Sequence, residues 1–213
     1  MKNAEVIVWD WNGTLVDDAW LACDVINEIR IDSKLEPIST DFFREIYQHP
    51  IINMYSAMGF ETDPETFAAL SHRWGDRYVA RFSETSLHEG ARELLIALEQ
   101  AQKKQFVLSA HNHTQLLKDV NFHGIDQHFH KVVGINNRMA DSKLQNGRDL
   151  LDSISVDPRA VLFIGDSTHD FEVASELGCH CLLVSQGAEA THRLMRHGAP
   201  VVSGLKELYS FLF

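Results

Sequence analysis

The chain has 213 residues, 45% of them hydrophobic, enough for one core domain with or without a smaller insertion and too apolar for a disordered segment. Lys and Arg number 19 against 30 Asp and Glu, a formal net charge of −11. That balance argues against a nucleic acid or an anionic membrane as partner, and any phosphate site needs local cations to overcome it.

The opening stretch, MKNAEVIVWDW, holds no apolar run of signal-peptide length, and no later run reaches that of a membrane span. Three cysteines (Cys23, Cys179, Cys181) are too few for a disulfide scaffold, so the expected location is cytoplasmic. The first apolar run, 5–9, is unbroken, as a strand buried on both faces should be, and it ends at Asp10. Trp9 is expected to pack inward, and Trp11 is expected nearer the segment that follows.

From 17 to 86 the pattern is helical, with no strand between the helices. Helices are predicted over 20–29, 40–47 and 51–58. A longer one starts at Pro64, a favourable first-turn residue, and runs to about 82, with Phe67, Leu70, Trp74 and Tyr78 on one side. Arg73, Arg77 and Arg81, spaced by four, read as a solvated stripe paired with acids. Residues 17–86 are therefore expected to be an all-helical insertion into a core made of 1–16 and 87–213.

Beyond the insertion, helix and strand alternate. Ala91, Leu94, Leu95 and Leu98 mark one helix face, and strands are expected at 105–108, 131–133, 160–164 and 181–184. Ser142-Lys143-Leu144-Gln145 reads as a capping box opening a helix toward Ile154, with Ser142 as N-cap. A helix over 169–177 is closed by Gly178 in the C′ role. The alternation predicts an α/β fold with a parallel sheet covered on both faces. Cys179 and Cys181 share a strand face and have no second pair, so they read as core residues and not a metal site.

In such a sheet, ligands bind beyond the carboxyl ends of the strands. Asp10 follows the first strand and Ser109, with Ala110 beside it, the second. Lys143 opens the helix ahead of the fourth strand, and GDSTHD (165–170) follows that strand with Asp166 and Asp170. Crowded carboxylates repel one another unless a cation lies between them, and a set of oxygen ligands suits Mg²⁺. Asp10, Asp166 and the main-chain carbonyl of Asn12 are the expected metal ligands. Asp10 can then act as nucleophile toward phosphorus, with Ser109, Ala110 and Lys143 holding the phosphoryl oxygens and Asp170 orienting Lys143 or a metal-bound water.

These residues resemble the haloacid dehalogenase superfamily, and in particular its phosphoglycolate-phosphatase-like members with a helical (C1-type) cap. The likeness is carried by DWNGTL (10–15), VLS (107–109), Lys143 and FIGDSTHD (163–170), with LHEGARELL (87–95) as the return into the core. It implies a Rossmann-like doubly wound parallel sheet and a mobile helical cap over 17–86. It also implies Mg²⁺-dependent dephosphorylation of a small phosphorylated metabolite through an aspartyl-phosphate on Asp10.

One position departs from the pattern. Such phosphatases carry a second Asp, the general acid and base, where this chain has Asn12, and an amide has no proton to give at neutral pH. Three readings stay open. The leaving group is good enough to need no proton, as in an acyl phosphate, an anhydride, an aryl phosphate or a phosphonate. Water or another group, with His111 and His113 as candidates, substitutes for the acid. Or the chain is a slow enzyme or a non-catalytic phosphate-binding protein. Lys34, the one lysine of the insertion, is the candidate for a Schiff-base variant and is the least favoured route.

Overall fold

A computed structural model describes residues 3–136 and 143–213. The chain enters through β1 (Val6–Trp9) and turns tightly into β2 (Val16–Asp17). It then runs through α1 (Ala19–Asp32), α2 (Thr40–Ile46), α3 (Ile51–Ala57) and α4 (Pro64–Arg81), and returns by β3 (Ser86–Leu87). Next come α5 (Ala91–Gln100), β4 (Lys104–Asn112), α6 (His113–Phe122), β5 (Lys131–Ile135), α7 (Leu144–Ile154), β6 (Val161–Gly165) and α8 (Thr168–Glu176). The last elements are β7 (His180–Val184), α9 (Thr191–Leu194), β8 (Val201–Val202) and α10 (Leu208–Leu212).

The main sheet has the order β5-β4-β1-β6-β7-β8, and every adjacent pair is parallel. β1 therefore sits at the reversal of strand order, with Trp9 opposite Val107 of β4 and Ile164 of β6. This register brings the residues after all three strands to one edge, where an open α/β sheet leaves a crevice for a ligand. Side-chain alternation explains the unbroken apolar run: Ile7 and Trp9 face one core cluster and Val6 and Val8 the other. Trp9 donates its indole N–H to Gln105 Oε1 at 3.1 Å, so it packs inward as expected. Trp11 is also fully buried, its ring 5.9 Å from that of His123. Cys179 and Cys181 pack against the second cluster as free thiols, in keeping with the core reading.

The helices between β2 and β3 are bound by their own packing. At α4, Asp63 accepts from the N–H groups of Glu65 and Thr66, and Pro64 fills the first turn. The arginine stripe of α4 faces α1 and is paired with acids: Arg73 with Asp32, Arg77 with Asp32 and Glu28, and Arg81 with Asp24, Glu28 and Glu84. β2 and β3 pair antiparallel, Val16 opposite Leu87, so the chain leaves and re-enters the sheet layer through one short ribbon. Farther out, Arg44 of α2 donates to Gln186 O at 2.7 Å, and Ala190 N–H donates to Arg44 O at 3.1 Å. Among the described residues no helix is long and apolar enough to cross a membrane.

The structure corrects the expected elements in detail. β4 does not stop at 108 but continues to Asn112, with a register shift against β5 between Leu108 and Asn112. Ser109 thus lies within a strand and not after one. The helix expected from Ser142 begins at Leu144 with Lys143 at the N-cap position, and Ser142 lies outside the described residues. A capping box is formed at α8 instead, between Ser167 and Asp170.

Candidate active site

The turn after β1 builds one wall of the site. The Trp11 carbonyl accepts from the N–H groups of Thr14, Leu15 and Val16 at 3.3, 3.0 and 3.2 Å, a single tight turn that holds Asp10 and Asn12 at the strand end. Gly13 makes the turn possible. Its φ is +73°, and a Cβ there would lie 2.3 Å from Asp166 Oδ2. Gly13→Ala is expected to cost about 1–3 kcal/mol in backbone strain and to push Asp166 aside. Urea unfolding reads the first effect and calorimetric Mg²⁺ titration the second; unchanged values of both would contradict this account of the turn.

Oxygen atoms of Asp10, Asp166 and Asp170, all three residues buried, lie within 4.8 Å of one another. Lys143 Nζ sits among them, bonded to Asp10 Oδ1 and, at 2.6 Å, to Asp170 Oδ1. The ammonium also lies 5.1 Å from the centroid of the Phe163 ring. Asp166 is oriented by Thr14 Oγ1 at 3.0 Å and by the Ala188 N–H at 2.6 Å. Asp170 accepts from the Asp166 N–H, the Ser167 N–H and the Ser167 hydroxyl at 3.1, 3.0 and 2.6 Å.

Burial, against the pull of Lys143 and with the push of Asp170, raises the Asp10 carboxyl to about 7. Burial, then Asp170 and Asp10, raises Asp166 well above the carboxylate range. At Asp170 burial acts upward, but the Lys143 ammonium and the hydrogen bonds outweigh it and hold the group below its usual value. One ammonium thus pairs with two of the three buried carboxylates, Asp10 and Asp170, which leaves the cluster short of positive charge. The donor set fits a hard divalent cation, since carboxylate and carbonyl oxygens are what Mg²⁺ takes.

Ser109 accepts the His111 N–H at 3.1 Å, a bond that leaves its own hydroxyl hydrogen unspent. Both Ser109 and Ala110 line the cavity that holds the carboxylates, and so do Asn12 and Lys143. Sequence reasoning had no signal for two further residues here. Asp18 stands at the N-cap position of α1 yet makes no capping bond. Its carboxylate accepts from Asn12 Nδ2 at 2.6 Å, Tyr78 Oη at 2.5 Å and Gly13 N–H at 2.8 Å. Asn12 Nδ2 also donates to Tyr78 Oη at 2.9 Å, and Tyr78 stacks on Trp74 with centroids 4.7 Å apart. Burial pushes Asp18 up, partly offset by these donors. The second unexpected residue is Tyr47, at the end of α2, whose phenol is raised well above its usual range by burial and then by Asp166, Asp10, Asp170 and Asp18.

The other candidates separate clearly. His111 lines the cavity, with Nε2 3.0 Å from Asp119 Oδ2. His113 opens α6, takes the Gly134 N–H on Nδ1 at 3.2 Å and is not among the lining residues. Lys34 is exposed and also lies outside the described lining.

A family profile described as haloacid dehalogenase-like hydrolase matches residues 7–184. A phosphoglycolate phosphatase of Caulobacter vibrioides is 29% identical over 196 residues, covering 87% of this chain and 81% of that protein. A phosphoglycolate phosphatase of Chromobacterium violaceum is 23% identical over 222 residues, covering 100% and 98%. Among solved structures, a haloacid dehalogenase-like family hydrolase from Streptococcus pneumoniae superposes with a TM-score of 0.86 at 16% identity, over 100% of both chains. The profile spans the strand-end carboxylates, the lysine and the helices between them, and on that match the chain belongs to the haloacid dehalogenase-like hydrolases.

Proposed function

We propose that the chain is a Mg²⁺-dependent phosphatase of small phosphorylated metabolites, acting through an aspartyl-phosphate on Asp10. The observation that carries this reading is the cluster of Asp10, Asp166 and Asp170 around Lys143, at the sheet edge where strand order reverses. The name phosphoglycolate phosphatase on both curated relatives supports a phosphate ester as substrate. Residues 17–86 act as a cap over a core of 1–16 and 87–213, hinged at the β2–β3 ribbon, and cap closure excludes water.

Asp10, Asp166 and the Asn12 carbonyl would hold the metal, which neutralises the carboxylates and draws charge from the phosphoryl oxygens when bound. Asp10 attacks phosphorus through a carboxylate oxygen as the ester P–O bond breaks and its electron pair leaves with the alcohol oxygen. Lys143 and Ser109, with the Ala110 backbone, bind the equatorial oxygens as charge redistributes over them. Asp170 positions Lys143 through its 2.6 Å contact. Water then attacks the phosphorus, and the P–O bond to Asp10 breaks.

The test is phosphate release with Mg²⁺ and with EDTA, coupled to acid quench and peptide mapping. Metal-dependent release with a phosphoryl group on the Asp10 peptide is expected. Metal-independent release, or a label elsewhere, overturns the mechanism. Phosphate binding with no turnover and no label on Asp10 would favour the non-catalytic reading that Asn12 keeps in play.

A further inference from the structure

The cavity at the carboxylates has a volume of about 160 Å³ and continues under the helices α1, α3 and α4. Its far wall is made of Ile26, Ile51, Met54, Tyr55, Met58 and Trp74. Among the described lining residues Lys143 is the one lysine or arginine, and its ammonium is already shared between Asp10 and Asp170. Of the lining imidazoles, His111 bonds Asp119, and His49 stacks on His169 at 4.2 Å, with His169 Nε2 buried and outside any hydrogen bond. A second anionic group carried beyond the phosphate, such as the carboxylate of phosphoglycolate, therefore meets a largely apolar wall and, among the described residues, no lysine or arginine beyond Lys143. Leaving it there unpaired costs several kcal/mol. A single aromatic ring meets none of that cost.

Asn12 points the same way by separate chemistry. Its amide nitrogen donates to Asp18 and to Tyr78, so both hydrogens are spent. The remaining amide oxygen has none to give. An alkoxide, about as basic as hydroxide, leaves phosphorus poorly without a proton, whereas a phenolate, whose acid has a pKa of about 10, departs with the bonding electron pair alone.

We infer that the substrate class is an aryl phosphate, a phosphate monoester of an aromatic alcohol, and not the phosphoglycolate named for the curated relatives. The inference rests on the phosphatase reading above. In the first step a bond forms between Asp10 Oδ and phosphorus, the P–O(aryl) bond breaks, and its electron pair leaves as phenolate, which takes a proton from solvent. In the second step a water oxygen bonds to phosphorus, the P–Oδ bond breaks and its pair returns to Asp10. The water proton ends on inorganic phosphate or in solvent.

The experiment compares kcat/KM of the full chain with Mg²⁺ on phenyl phosphate, cyclohexyl phosphate and phosphoglycolate. The first two share a size and differ in leaving-group basicity. Phenyl phosphate is expected to lead cyclohexyl phosphate by about 10²-fold or more, the size of the missing acid catalysis. It should lead phosphoglycolate by a similar factor, and Ile51→Lys, a cation set into the half-buried edge of the wall, should narrow that second gap by about tenfold. Phosphoglycolate turned over as fast as phenyl phosphate overturns the inference and leaves the phosphatase reading standing, as do equal rates on phenyl and cyclohexyl phosphate. No phosphate release from any of the three overturns the phosphatase reading, and the inference falls with it.

Discussion

Lys143→Met is expected to lower the stability of the metal-free protein by about 3–5 kcal/mol, because it removes the one cation from a buried set of charges. Lys143 is 1% exposed, and its ammonium contacts both Asp10 and Asp170 while lying over the Phe163 ring. Methionine keeps an unbranched apolar stem and is one heavy atom shorter, so the change removes the charge and little else. In a chain of this size each kcal/mol moves Tm by about 2–4 °C, so the fall is on the order of 10 °C. Its pH dependence has a definite sign. Without the ammonium, the folded-state pKa of Asp10 rises further above its unfolded value, and that of Asp170, held below its own by Lys143, rises past it through burial. The stability such groups contribute is present below the unfolded pKa and lost as pH rises through the folded one. The deficit against wild type should therefore be small near pH 4 and grow toward pH 8. Added Mg²⁺ should restore part of it, since it supplies positive charge to the same oxygens. Thermal unfolding across that range, in EDTA and in Mg²⁺, checks each part. A variant that matches wild type at pH 8 in EDTA would show that Lys143 does not hold the cluster together.

Residues next to one another in the chain carried most of what the sequence made legible. Asp10 and Asp166 follow unbroken apolar runs, and Lys143 opens a helix, so the strand-end rule gathers them from the sequence alone. The limits of that reasoning have physical causes. Ser109 to Asn112 is a polar stretch that reads as loop, yet β4 carries on through it by shifting register against β5. β2, β3 and β8 have two residues each, too few for any period to show. The contacts of Asn12 were hidden for another reason. Tyr78 lies 66 positions away on α4 and registers in the sequence only as one more residue of an apolar face. Asp18 has the look of an ordinary helix N-cap, and only the fold reveals that its carboxylate is turned away from α1 and onto Asn12 and Tyr78. Tyr47 belongs to the same class, an aromatic whose hydroxyl acquires meaning when α2 is brought over the carboxylates. The carboxylates and lysine at the ends of the strands are thus local and readable, whereas the groups packed around Asn12 come from the helical segment between β2 and β3.

Asn12→Asp is expected to raise kcat/KM on alkyl phosphates by about 10²–10⁴-fold, the usual contribution of a positioned general acid. The reason lies in the residue's neighbour. Asn12 Nδ2 stands 2.6 Å from Asp18 Oδ2, so a carboxylate at position 12 would face another at contact distance. Two carboxylates that close cannot both ionise at neutral pH, and the pair takes up a shared proton. Asp18 is already pushed upward by burial, and the Tyr78 hydroxyl donates to it at 2.5 Å. The substitution therefore installs a protonated acid beside Asp10, the group that the amide withholds. Aryl phosphates, whose leaving group needs no proton, should gain little. The variant's rate on alkyl phosphates should fall as pH rises through the apparent pKa of the pair, a limb that wild type lacks. The same proximity has a cost, because the substitution exchanges a hydrogen bond to a buried carboxylate for a second acid, and Tm should drop. A pH–rate profile on cyclohexyl phosphate for both proteins measures the gain and the new limb together. If the variant stays folded and gains nothing at any pH from 5 to 8, the leaving oxygen lies out of reach of position 12, and the absence of an acid there is not what limits this enzyme.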